Sequence, residues 1–150
     1  MKSKIVKYIM YLVQWTWGIL QNLLGLFLML RIQEKNVFTF HGALVVDYEA
    51  DNFLKHMGTF TLGMFIFYNN ANPAKKQNLL SHEYGHTIQS LIYGPLYLPI
   101  VGTFSYRWSK EYWKNQETYN SKNVFYCDRY PEKQANYWGE KFTGHQGILD

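Results

Sequence analysis

The chain has 150 residues, with 15 Lys and Arg against 11 Asp and Glu, and an aromatic content of 19%. That length supports one domain with a modest core; the net charge of +4 is spread without a long basic run, which argues against a dedicated nucleic-acid surface and is compatible with anionic lipid. A single cysteine, Cys127, excludes an internal disulfide, and no CxxC or paired Cys–His spacing exists for a zinc finger or ribbon.

Residues 1–36 form an apolar N-terminal segment. From Ile9 to Leu30 there are 22 residues without a charge, long enough for one helix to cross a bilayer core. Lys2, Lys4 and Lys7 precede this run, and Arg31 and Lys35 follow it, so charge gives only a slight lean towards an inside N-terminus. Trp15 and Trp17 lie inside the run, and Gln14, Gln21 and Asn22 interrupt it. A transmembrane or re-entrant helix fits this pattern, and so does an amphipathic interfacial or core helix. A cleaved signal peptide fits less well, because no small-x-small site follows and the run is too long. The remaining residues, 37–150, are expected to form a separate domain.

Residues 37–49, "VFTFHGALVVDYE", are rich in β-branched and aromatic residues around a central Gly, which predicts one bulged strand or a tight hairpin. Residues 58–68, "GTFTLGMFIFY", read as another strand. Asn72 is a good N-cap, and Pro73 suits the first helical position. The helix they open can run to about Tyr93, where Gly94 and Pro95 stop it. "PLYLPIVGTFSYRW" follows, apolar but broken by Pro95, Pro99 and Gly102. It reads as a second membrane contact or a buried irregular segment. Residues 109–125 read as a surface loop or short helix, and "PEKQANYWGEK", 131–141, as a short helix.

The helix after Pro73 carries "HEYGH". His82 and His86, at i and i+4, share one helical face, about 6 Å apart along the axis. Two imidazoles so placed can bind one tetrahedral metal ion. Glu83 lies about 100° around the helix, where it can act as a general base towards a metal-activated water. This is the HExxH pattern in its proper setting of strand, turn and helix. The competing reading is an ordinary helix that carries two histidines, so a third ligand decides. Candidates are His41, His56, His145 and the acidic residues. Glu132 opens the next helix, with Asn136 one turn on, on the same face. A carboxylate ligand beside an amide that accepts a histidine's second ring N–H is a sensible arrangement. Alone, Glu132 would read as a first-turn acid favoured by the helix dipole.

"HEYGH" followed by "EKQAN" resembles the gluzincin arrangement of zinc metallopeptidases, with HExxH on one helix and a glutamate ligand on a later one. The wider "HEYGHTIQSLIYGPLYL" and "YPEKQANYWG" resemble a group of small, functionally uncharacterised bacterial proteins that carry these segments behind an apolar N-terminal helix. The resemblance covers about residues 9–30 and 58–139. It implies His82, His86 and Glu132 as zinc ligands, Glu83 as catalytic base and Asn136 as the residue supporting a ligand. Asn136 stands where Asp is commoner, and Pro131 where a capping Thr is usual. The expected fold is α+β: a minimal zincin-like domain with a small sheet, an HExxH helix and a C-terminal glutamate helix.

A peptidase also has to hold its substrate and stabilise an oxyanion. The strand at 58–68 is a candidate for pairing with an extended peptide, or else a plain core strand. Tyr106, Tyr126 and Tyr130 are candidate oxyanion donors. Gly85 would permit close backbone packing behind the site. Three functions remain open: a membrane-associated zinc peptidase acting on peptide or protein substrates, a non-catalytic membrane protein with a structural or binding zinc site, and a metal-free membrane or partner-binding protein.

Overall fold

The structure is a computed structural model that describes residues 4–33, 35–48, 54, 57–69 and 73–149. The architecture is α+β: a mixed four-stranded sheet with helices on both faces. Asn72 and His56 lie outside the described residues.

The N-terminal run is not one helix. It divides into α1 (Lys4–Thr16) and α2 (Ile19–Arg31), bent by 90° at Trp17–Gly18. Among the described residues no single helix is long and apolar enough to cross a membrane. The interrupting amides mark the cause: Gln14, Gln21 and Asn22 turn inward, and folding the run in two brings them to one seam.

The stretch at 37–49 is a tight hairpin. Strands β1 (Lys35–Phe40) and β2 (Ala43–Tyr48) pair antiparallel from Phe40↔Ala43 to Lys35↔Tyr48. His41 and Gly42 form the two-residue connection, both with positive φ (50° and 99°). A hairpin turn of this kind needs that backbone region, which Gly adopts freely and His rarely. The stretch at 58–68 is a second hairpin, not one strand: β3 (Phe60–Leu62) turns at Gly63–Met64 into β4 (Phe65–Asn69). β2 and β4 pair in parallel, giving the order β1-β2-β4-β3. The strand leading into the HExxH helix is therefore interior, and β1 and β3 form the two sheet edges.

Side chains alternate across β4. Phe65 and Phe67 join Ile32, Val46 and Tyr48 on one face, with α2 packed there; Ile66 and Tyr68 join Ala43 and Val45 on the other. The second face receives Leu80, Tyr84 and Ile88 of α3 (Lys76–Tyr93), a helix buried continuously from Leu80 to Ser90. Burying each such large apolar side chain contributes about 1.5–3 kcal/mol. α3 ends at Gly94, whose positive φ and following Pro95 stop it as the sequence predicts.

The segment 95–108 is helical, not irregular. Short 3-10 and π turns lead into α4 (Thr103–Lys114), then α5 (Gln116–Ser121). Pro95 and Pro99 fall in the first turns of these pieces, where a missing N–H costs least. α6 (Glu132–Thr143) closes the fold against α3.

Candidate metal centre

Two backbone approaches join α3 to α6. A Cβ on Gly85 would stand 1.8 Å from the Ala135 carbonyl oxygen, and one on Gly139 would stand 2.1 Å from the Ser81 carbonyl oxygen. Only glycine allows helices this close. The packing that Gly85 was expected to permit is thus packing against α6. It sets the first residue of α6 over the histidine face of α3.

Glu132 Oε2 lies 3.0 Å from His82 Nε2 and 3.2 Å from His86 Nε2. The imidazole planes are nearly perpendicular (87°), with centroids 5.0 Å apart. All three residues are buried, and their potential ligand atoms lie within 4.8 Å of one another, so the group is positioned to bind a metal ion. Glu132 is fully buried, and its other oxygen, Oε1, has no hydrogen-bond partner.

The outer ring nitrogens fix the tautomers. Asn136 Nδ2 donates to the Ile148 carbonyl (2.6 Å), which turns Oδ1 towards His82 Nδ1 (2.8 Å). Gln89 Nε2 donates to the Pro131 carbonyl (3.0 Å) and Gln134 Oε1 (2.9 Å), which turns Oε1 towards His86 Nδ1 (2.7 Å). Each Nδ1 therefore donates its proton to an amide oxygen. In a neutral ring, Nε2 then carries the lone pair. With both rings neutral, two lone pairs and a carboxylate oxygen converge, an arrangement suited to a cation among them. A proton can satisfy one imidazole–carboxylate contact, whereas a metal ion satisfies all three atoms at once. The donor set of two imidazoles and a carboxylate is one that zinc takes in hydrolytic sites. Zinc bonds of ~2.0–2.1 Å at the tetrahedral angle place neighbouring ligands about 3.3 Å apart, close to the two separations found here.

With no cation present, the charges settle accordingly. Burial alone would lower the His86 pKa, but the Glu132 charge and hydrogen bond outweigh it, aided by Glu83 and Gln89, and raise it to about 9. Burial likewise opposes ionisation of Glu132, yet the His86 charge and the hydrogen bonds from both histidines hold its carboxyl well below the usual carboxylate range.

Glu83 is buried beside this group. Thr61 Oγ1, on edge strand β3, lies 2.7 Å from Glu83 Oε2 and 3.1 Å from the Glu83 carbonyl. The Tyr97 hydroxyl donates to the Thr61 carbonyl at 3.1 Å. Burial, then the charges of Glu83 and Glu132, push the Tyr97 hydroxyl well above its ordinary pKa. Tyr126 is pushed the same way by burial, then Glu132 and Glu83, against the opposing hydrogen bonds of Ser105 and Ser109. Both hydroxyls stay protonated as donors near the two carboxylates.

Of the tyrosines singled out from sequence, only Tyr126 carries the influence of both acids. Tyr130 is raised mainly by burial and by Tyr93, and Tyr106 is half exposed beside Lys110. His145 lies against Gln77 (3.0 Å) and the rings of Phe40 and His41, outside the ligand group. Sequence reasoning missed Thr61, Gln89 and Tyr97. Gln89 had a signal: it follows His86 at i+3, the same logic that singled out Asn136 from Glu132. Thr61 had none, because its approach depends on a hairpin read as one strand. Compared with protein-family models, curated proteins and solved structures, the chain matches none of them.

Proposed function

We propose that this protein is a zinc-dependent peptidase-like hydrolase of gluzincin type, with a minimal zincin-like domain. The observation that carries the reading is the convergence of Glu132 on the Nε2 atoms of His82 and His86, with Glu83 next in chain and its carboxylate turned to the edge strand. His82, His86 and Glu132 hold the metal; Asn136 and Gln89 keep both rings in the ligating tautomer. When bound, zinc supplies Lewis acidity to a peptide carbonyl and lowers the pKa of water at its open position. Glu83 takes a proton from the attacking water and returns it to the leaving amine. Thr61 engages one Glu83 oxygen and leaves the other for that proton. Tyr97 and Tyr126, protonated hydroxyls under the influence of both Glu83 and Glu132, are candidate donors for the developing oxyanion. Edge strand β3 offers backbone to an extended peptide.

A second reading, a zinc site that only holds structure, is favoured by one observation: His82, His86, Glu132 and Glu83 are all buried. Elemental analysis of purified protein and a hydrolysis assay on a mixed peptide library separate the two. Stoichiometric zinc with cleavage abolished by Glu83→Gln supports the peptidase. Stoichiometric zinc without cleavage supports the structural site, and protein without metal removes both.

A further inference from the structure

The most deeply buried side chains of the N-terminal helix pair are amides: Gln14, Gln21 and Asn22 are at most 2% exposed, while Met10, Tyr11, Leu26, Leu28 and Met29 pack half-buried against the core. All three amides are engaged. Gln14 Nε2 donates to the Thr87 carbonyl (3.2 Å), and Gln21 Nε2 donates to Ser90 Oγ (2.8 Å) and the Gly94 carbonyl (3.0 Å). Asn22 Nδ2 donates to the Gln14 carbonyl, and its Oδ1 accepts the Met64 N–H (2.8 Å). Most of the outward residues are apolar. Ile9 and Leu12 on α1, and Leu20, Leu23, Phe27 and Leu30 on α2, are each half exposed or more. A helix at a water-facing surface has the opposite polarity, and a continuous apolar face of this kind marks an interaction surface.

Charge and geometry identify what covers it. Between residues 4 and 33 the only charged side chains are Lys4, Lys7 and Arg31, all basic. Two copies paired through this face would bring like charges together, whereas an anionic lipid surface complements them. Each helix has 13 residues, about 20 Å at 1.5 Å per residue, against a hydrocarbon core of about 30 Å. The pair meets at 90°, so a helix entering the core leaves its partner along the surface.

We propose that α1 and α2 form a one-leaflet anchor that seats the protein on a membrane containing anionic lipid, without crossing it. The outward leucines and Phe27 enter the acyl region, and the basic side chains meet the headgroups. The inward amides bond the anchor to Thr87 and Ser90 of α3, the helix that carries His82 and His86, and so hold that helix at a fixed height above the lipid. The proposal stands on the helix pair alone and is independent of the zinc reading.

The test is flotation of the full chain with vesicles of phosphatidylcholine, alone or mixed with phosphatidylglycerol. Binding is expected to be stronger to the mixed vesicles and to fall with salt. Leu12→Glu and Leu20→Glu, both at exposed positions, are each expected to lower the bound fraction about tenfold or more, with an unchanged circular dichroism spectrum. Leu149→Glu, exposed at the other end of the chain, should leave binding as it was. Flotation indifferent to Leu12 and Leu20 overturns the proposal. So does a lipid-free dimer that these variants dissociate, which would make a second copy the occupant. Topology is read by impermeant thiol labelling of vesicle-bound Lys4→Cys and Lys35→Cys variants in a Cys127→Ser background. Both positions label from outside for a one-leaflet anchor; protection of one of them means that the pair crosses.

Discussion

Gly85 and Ala135 are in backbone contact: a Cβ on Gly85 would fall 1.8 Å from the Ala135 carbonyl oxygen. This approach places Glu132, one turn before Ala135, against both histidines. Gly85→Ala should therefore separate α3 from α6. Alanine gains up to about 1 kcal/mol in helix propensity, but overpacking costs about 1–3 kcal/mol, so a net loss of stability is expected. Metal affinity should fall as well, because α6 carries the third ligand. Thermal unfolding with chelator present, and zinc competition titration, measure the two effects. A variant that is stabilised and still binds zinc normally would show that the helices do not need this contact.

Asn136 and Gln89 each accept a ring proton from a histidine and are themselves held by backbone carbonyls. Replacing either with Ala frees a ring to rotate or change tautomer. Zinc affinity is expected to drop about 10–100-fold for each, and further for Glu132→Ala, which removes a ligand. Equal losses at Asn136 and Gln89 would mean that the two supports act alike. Unchanged affinity for both would place the metal away from these histidines. Asn136→Asp, which adds a negative charge at the group that accepts the His82 ring proton, should tighten binding.

The candidate ligand group was legible in the sequence because it is written locally: His82 and His86 by helical spacing, Glu132 and Asn136 by theirs on the next helix. That the two helices meet followed from the need for a third ligand, and Gly85 was legible as a packing residue, whereas Gly139, the second close approach, looks from sequence only like a helix penalty. The helix stop at Gly94 followed from turn chemistry, and the hairpin at His41–Gly42 is one of the two readings it offered; the helix opens less directly than expected, with a 3-10 turn at Pro73–Lys75 before α3 begins at Lys76. The second hairpin did not follow from turn chemistry. Gly63 sits inside an apolar run, and its turn is fixed by Asn22, forty-two residues away, accepting the Met64 N–H. The N-terminal run likewise reads as one helix because hydropathy averages over amides, and the amides decide the bend by finding partners on α3.

Removing metal should make stability depend on pH in a specific direction. His86 is raised from its ordinary 6.5 to about 9, so its contribution is fully present below pH 6.5 and is lost as pH rises through about 9. Glu132 is lowered from 4.5, so its contribution is present above that value and is lost only as pH falls through its depressed pKa. Metal-free protein should therefore melt at its highest temperature between pH 4.5 and 6.5 as far as this pair is concerned, and lower towards pH 9. Zinc binding has the opposite trend, because the metal must displace the His86 proton; apparent affinity should rise about tenfold per pH unit below 9. Melting in chelator and chelator-competition titrations across this range read both slopes. Zinc affinity flat with pH would mean that His86 is already neutral or is not a ligand.

The Thr61–Glu83 hydrogen bond separates a catalytic from a purely structural role for Glu83. Glu83→Gln keeps the size and the contact with Thr61, so zinc content and melting temperature should change little. Hydrolysis should fall about 10²–10⁴-fold, the usual contribution of a general base. Thr61→Val removes the hydroxyl that donates to Glu83 while keeping the β-branched shape on β3. The carboxylate then loses the contact that orients it, so hydrolysis should fall while zinc content stays the same. A structural Glu83 gives a different result: Glu83→Gln and Thr61→Val would both lower melting temperature and zinc content together.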